Sequence, residues 1–262
     1  VRLTFARWKT TAALTAMAWA AFPRARGLWR AAVAAHAVVL MRGIVSPRSG
    51  FFCTAWCEKP ASSGDIALTF DDGPDPRLTE AVLEMLAARS MRATFFVIAR
   101  RAAQHPDIVK RAAQQGHVIG CHDLHHSPLS NLRLERAARR EIGQARDIIA
   151  EIIGARPLLY RPPVGLMNPE IARALTYHSL ACVGWSASGG DCGNRSARGV
   201  DRIDSLARPG AVVLLHDALG RASLRDRFLA RLERLLDSIE RQALAPRTID
   251  AFFGIPAYAT TC

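Results

Sequence analysis

At 262 residues, half of them apolar, the chain is long enough to bury the core of one large α/β domain and to carry an appendage as well. Of its net charge of +12, residues 1–59 hold +8, and nothing interleaves aromatic with basic residues as a single-strand binder does, so nucleic acid is not an expected partner. Six scattered cysteines (Cys53, Cys57, Cys121, Cys182, Cys192, Cys262) make neither a disulfide framework nor a paired CxxC zinc site; Cys53 and Cys57 suit a bridge or two free thiols equally.

Residues 1–46 stand apart as a hydrophobic and basic segment. Arg2, Arg7 and Lys9 precede an uncharged run over 10–22, Pro23-Arg24-Ala25-Arg26 interrupts it, and a second apolar run covers 31–41. Each run is shorter than the roughly 17–25 residues that span a bilayer. The first fits the apolar region of a signal peptide, with Ala18-Trp19-Ala20 as a cleavage site. With snorkelling Arg and Lys, 3–22 and 28–45 form a hairpin of two spans; two Ala-rich helices packed on the domain are the plainer alternative. Membrane attachment or export to the cell envelope is the expectation. Pro, Ser and Gly make 47–64 a linker, and a domain over 65–262 follows.

From residue 65, apolar runs alternate with amphipathic stretches. Strands are expected at 66–70, 93–98, 117–121, 158–160, 180–185 and 211–215, with a weaker one near 245–249. Helices are expected at 77–90, 106–115, 132–153, 169–177, 200–207 and 224–241. In the last, Phe228, Leu232, Leu235, Leu236 and Ile239 share one face. Six or seven such units predict a parallel sheet closed, or nearly closed, into a barrel whose chemistry sits at the strand C-termini. Asp71, Asp72, His122, Arg161, Asp191 and His216 all fall at or just after predicted strand ends.

The first strand stops on Asp71-Asp72-Gly73-Pro74. Adjacent side chains leave a strand on opposite sides, so one acid can bind a metal while the other handles protons. His122-Asp123-Leu124-His125-His126 offers imidazoles at i, i+3 and i+4, two of which reach one ion if the loop turns helically. With Asp72, the pair His122/His126 gives two His and one carboxylate with an open position, the pattern of a catalytic metal; His122/His125 is the competing pair. A base alone does not suffice, because moving a proton from free water (pKa about 15.7) to a carboxylate (about 4) is uphill by roughly 16 kcal/mol, most of which zinc removes.

Arg161, before Pro162-Pro163-Val164-Gly165, is a natural bidentate partner for Asp71, and the Val164 N–H is placed to face an oxyanion. His216 ends the apolar run 211–215 and suits a general acid for a leaving amine. Asp191 is its expected partner and Asp217 the rival.

In this order the motifs resemble the NodB-homology polysaccharide deacetylases, carbohydrate esterase family 4. Thr69-Phe70-Asp71-Asp72-Gly73-Pro74, His122 to His126, Arg161-Pro162-Pro163, Trp185 to Asp191 and Leu214-Leu215-His216 match the family's five motifs over roughly residues 60–220. The resemblance implies a distorted (β/α)7 barrel, to which residues 1–46 would add an N-terminal apolar helical arm. It implies Zn2+ or another divalent transition metal on Asp72, His122 and His126. It gives Asp71 as base, Arg161 orienting Asp71, and Asp191 tuning the acid His216. The implied activity is removal of N-acetyl groups from an amino-sugar-containing envelope glycan. The alternatives are a deformylase or deacylase of a lipid-linked sugar at the membrane and a non-catalytic glycan-binding barrel. Asp123 stands where the family has Ser or Thr, and Val164 and Cys192 where it has rings that stack on sugar. The two hydrophobic N-terminal segments, with Asn168-Pro169 after the Arg161 loop, resemble a membrane-tethered bacterial subgroup more than secreted chitin deacetylases.

Overall fold

The structure, a computed structural model, describes residues 4–21, 26–61, 64–127, 132–189, 202–203, 205–218, 220 and 222–260. Helices α1 (Phe5–Ala21) and α2 (Arg26–Val45) come first, then strands β1 (Ala55–Trp56) and β2 (Asp65–Asp71). Next are α3 (Thr79–Ala88), β3 (Thr94–Val97), α4 (Ala99–Gln104), α5 (Pro106–Gln114), β4 (Val118–Cys121) and α6 (Glu135–Ile153). The chain continues through β5 (Leu159–Tyr160), α7 (Pro169–Tyr177), β6 (Ala181–Val183) and β7 (Ala187–Ser188). It closes with β8 (Val212–His216), α8 (Arg225–Arg241), β9 (Ala245–Arg247) and α9 (Ile249–Phe253).

The strands run parallel in the order β1-β6-β5-β4-β3-β2-β8-β7, with β9 beside the start of β2. This is the expected alternation of strand and helix, curved into a half-barrel rather than fully closed by strand pairing. An antiparallel bridge between Glu58 and Ala211 ties the β1 side to the β8 side.

Alternation along each strand sorts the core into two layers. In β2, Ile66, Leu68 and Phe70 join the main cluster beneath the helices, which takes Phe228, Leu232, Leu235, Leu236 and Ile239 from the apolar face of α8. Ala67 faces the other way, into a smaller cluster with Phe96, Val118, Leu159, Val183 and Val212. Into that cluster α9 inserts Ile249 and Phe252, and the Ile249 N–H donates to Thr94 Oγ1 at 2.9 Å. The smaller cluster thus plugs the barrel interior with hydrocarbon, and Asp71, His122 and Arg161 gather at the strand C-termini.

Three expectations need correction. Residues 47–64 are not a free linker: β1 pairs with β6 (Ala55 opposite Cys182), and Phe51 and Cys57 are buried, because this segment covers an otherwise open sheet edge. Helices α4 and α9 had no counterpart in the expected series; at six and five residues they are too short for a periodic signal. Of the helix expected at 200–207, residues 202 and 203 are helical and 205 and 206 form a turn, while 200, 201 and 204 lie outside the described residues. Cys53, Cys57, Cys121 and Cys182 are free thiols, while Cys192 and Cys262 lie outside the described residues.

At the start of β4, His117 is buried and its Nδ1 accepts the Ala93 N–H at 3.1 Å. Burial, with the nearby Arg92 charge, pushes its pKa down from 6.5 to about 4. A depressed pKa in the fold means that the stabilisation is complete above the unfolded value of about 6.5 and is lost as pH falls through about 4, on the order of 3 kcal/mol in all. His117→Gln keeps an acceptor for Ala93 but cannot titrate. Its denaturant midpoint should therefore fall less between pH 6.5 and 4 than that of the parent; parallel pH profiles would contradict this assignment.

Candidate active site

The inward face of β2 reads Ala67, Thr69, Asp71, passing from the apolar plug to the mouth. Asp71 ends the strand in register with His216 at the end of β8. Its Oδ1 accepts from Arg161 Nη1 at 2.7 Å, and the same nitrogen donates to Thr69 Oγ1 at 2.7 Å. Arg161 Nη2 donates to Gly184 O at 2.9 Å and Nε to Val183 O at 3.3 Å, while the guanidinium lies 4.2 Å from the Phe96 ring centroid. The expected bidentate grip is therefore a single bond to Asp71. The other donors are spent on the Thr69 hydroxyl and two backbone carbonyls, which leave this wholly buried cation no freedom to turn.

Alternation alone would send Asp72 outward, toward the helices. A left-handed backbone, φ 74°, turns it to the mouth instead. At the following Gly73 a Cβ would come 2.1 Å from Asp217 Oδ2 and force that buried carboxyl to shift. Asp217 is buried, accepts from Thr79 Oγ1 at 2.8 Å, and donates its N–H to Asp71 O at 3.1 Å. Burial, reinforced by the charges of Asp72 and Asp71 against the Thr79 hydrogen bond, raises its pKa to about 7. Asp217 and Thr69 thus hold the turn at 71–74 in ways the motif reading did not foresee. The adjacency of Asp217 to His216 was the one available signal.

His122 is buried, and its Nδ1 lies 2.8 Å from Arg161 O. A carbonyl only accepts, so the proton sits on Nδ1 and leaves Nε2 with a free lone pair aimed at the mouth. That Nε2 stands 3.5 Å from Asp72 Oδ1 and 3.8 Å from Asp71 Oδ2; His126 Nε2 stands 3.3 Å from Asp72 Oδ1. The loop does not turn helically as expected. Left-handed residues at Asp123 (φ 71°) and His126 (φ 53°) fold it back, and these select His126. His125 is exposed, with its Nδ1 3.5 Å from Arg100 Nη1. Burial opposes ionisation of Asp72, yet His122, then His126 and His216, outweigh it and hold its carboxyl well below the usual range. Burial drives His126 toward the neutral form, while Asp71 and Asp72 overcome burial at His122 and raise it. Asp191, expected beside His216, lies outside the described residues.

A polysaccharide deacetylase family profile matches residues 58–183. A chitooligosaccharide deacetylase of Rhizobium leguminosarum bv. trifolii is 31% identical over 201 residues, covering 73% of this chain and 93% of the relative. The chain belongs to the polysaccharide deacetylase family. A peptidoglycan-N-acetylglucosamine deacetylase of Bacillus cereus is 33% identical over 174 residues; there the match spans 63% of each chain, under two thirds of that relative's length. The crystal structure of a peptidoglycan N-acetylglucosamine deacetylase superposes with a TM-score of 0.71 at 28% identity, covering 78% of this chain and 95% of the other.

Polysaccharide deacetylases are metalloenzymes, and the residues at this mouth fit a divalent ion. Asp72 Oδ1 is buried without a hydrogen-bond partner, and the ligand atoms of Asp72, His122 and His126 lie within 4.8 Å of one another. Two ligands about 2.1 Å from a shared ion at the tetrahedral angle stand about 3.4 Å apart. Both imidazole nitrogens lie at close to that separation from Asp72 Oδ1, at 3.5 and 3.3 Å. Equilibrium dialysis of the chelator-stripped polysaccharide deacetylase against zinc should return about one ion per chain. Asp72→Ala and His122→Ala should lose it and His125→Ala should keep it; loss in His125→Ala alone would reinstate the competing pair.

Proposed function

We propose that the chain is a metal-dependent N-deacetylase that hydrolyses the acetamide of an N-acetylated amino sugar in a cell-envelope glycan, releasing acetate and a free amine. The observation that carries this reading is the buried Arg161–Asp71 pair, 2.7 Å apart, standing beside a three-ligand cluster with an orphaned carboxylate oxygen. A binding barrel needs neither an immobilised base nor an empty coordination site.

Zinc is the favoured ion for two imidazoles and one carboxylate, and when bound it would bring the pKa of a coordinated water from about 15.7 to about 7. Asp71 then takes the proton of the attacking water through Oδ2, the oxygen that faces His122 Nε2 at 3.8 Å, because Oδ1 is already held by Arg161. Arg161 acts as a positioning residue that keeps Asp71 charged and aimed. The Val164 N–H is the proposed donor to the oxyanion. His216, across from Asp71 on the neighbouring strand, protonates the departing nitrogen, with Asp191 as its proposed partner.

The apolar arm is proposed as a membrane anchor. Gly27–Val45 is the one described helix long and apolar enough to cross a bilayer, and only 6% of its apolar window is buried against the rest of the protein. Deacetylase and anchor together suit the cell envelope.

Asp71→Asn preserves shape and the Arg161 contact but removes the base. Acetate release from N-acetylglucosamine oligomers or peptidoglycan should fall by roughly 10²–10⁴-fold while zinc stoichiometry stays unchanged. A rate equal to the parent's would dispose of Asp71 as base.

A further inference from the structure

The arm and the mouth are joined. At the C-terminal end of α2, Ile44 O accepts the N–H of Met167, two residues beyond Gly165 in the loop that carries Arg161 and Val164. At the N-terminal end of α1, the Phe5 N–H donates to Phe51 O at 2.7 Å, and Trp8 Nε1 donates to His36 O at 3.3 Å, so the two helices run antiparallel away from the catalytic rim. The hairpin therefore leaves the protein beside the polar mouth.

Exposed apolar side chains follow the same geography. Of the thirteen large ones among the described residues, eight lie on the hairpin and three on two rim loops: Leu132 and Leu134 after the histidine loop, each 79% exposed, and Val164 at 66%. Local physics favours other residues at two of these places. Leu134 is the N-cap of α6 and makes no capping hydrogen bond, a position where Ser or Asp would satisfy a helix N–H. Val164 is β-branched in a left-handed backbone, φ 56°. Arg133, between the two leucines, is tied to Glu141 at 2.6 Å and Asp123 at 3.3 Å, so the segment is pinned to the rim while its leucines face outward.

We propose that the mouth itself rests on the bilayer, with Leu132, Leu134 and Val164 dipping into the headgroup layer as a second contact beside the hairpin, and that its substrate is an N-acetylated amino sugar attached to a lipid. The choice of substrate rests on the deacetylase reading; the contact does not. A mouth held in that layer meets sugars within a headgroup's reach of the acyl chains. Val164, 66% exposed, gives the loop an apolar contact with lipid.

The test uses the full chain in phosphatidylethanolamine/phosphatidylglycerol vesicles. The added fluorescence of Leu134→Trp should be quenched by lipids brominated near the headgroup; added emission that stays unquenched, or is quenched only as a concentration-dependent dimer forms, overturns the contact and assigns the lip to solvent or to a second copy. Leu132→Asp/Leu134→Asp should cut acetate release from a lipid-linked N-acetylglucosamine in the same vesicles by tenfold or more, and leave release from soluble chito-oligomers unchanged. Equal effects on both substrates, or on neither, overturn the substrate assignment. If the parent releases acetate from neither, the deacetylase reading has failed, and the quenching still decides the contact.

Discussion

A guanidinium wholly removed from water, bound to one oxygen of one carboxylate, sets the arrangement of everything at this mouth. An unpaired charge in that position would cost several kcal/mol, so Arg161 is tolerable only because Asp71, Thr69, Val183 O and Gly184 O all receive its hydrogens. The partners come from two separate strands: Thr69 and Asp71 on β2, Val183 and Gly184 at the end of β6. Pinning Arg161 therefore pins the two sides of the half-barrel to each other. Its own carbonyl then fixes the tautomer of His122, so a single residue orients both the proposed base and a proposed metal ligand.

The remaining order at the site is held against local preference. Asp72, Asp123, His126 and Val164 all adopt left-handed backbone that costs non-glycine residues energy. The surrounding bonds over-determine them: Asp217 fills the space beside Gly73, Arg133 holds Asp123, and Arg101 Nη1 donates to Asp72 O at 2.7 Å. Such strain is reasonable where three ligand atoms must converge from two loops. It also explains why two adjacent aspartates serve different partners, one following the strand's alternation and the other breaking it.

The sequence carried the strands and their polar ends well, because a buried parallel strand announces itself as an apolar run. Val212 to His216 and Asp65 to Asp71 are examples. It also pointed to Asp72, His122 and His126, whose ligand-type atoms the fold brings within 4.8 Å of one another. Other features were illegible for physical reasons. β1 has two residues, too few for any period, and owes its existence to the edge of β6. Selection of His126 over His125 depends on two left-handed dihedrals that composition does not encode. The role of Thr69 arises only once Arg161, 92 positions away, folds beside it.

The account's central claim is that one carboxylate and two imidazoles share a single ion at this mouth. X-ray absorption at the metal edge of the zinc-loaded full chain tests it most directly. The predicted result is a first shell of two nitrogens and oxygens only, at about 2.0–2.2 Å, with outer-shell scattering from two imidazole rings. A sulfur shell at about 2.3 Å, or a shell without imidazole scattering, would contradict it.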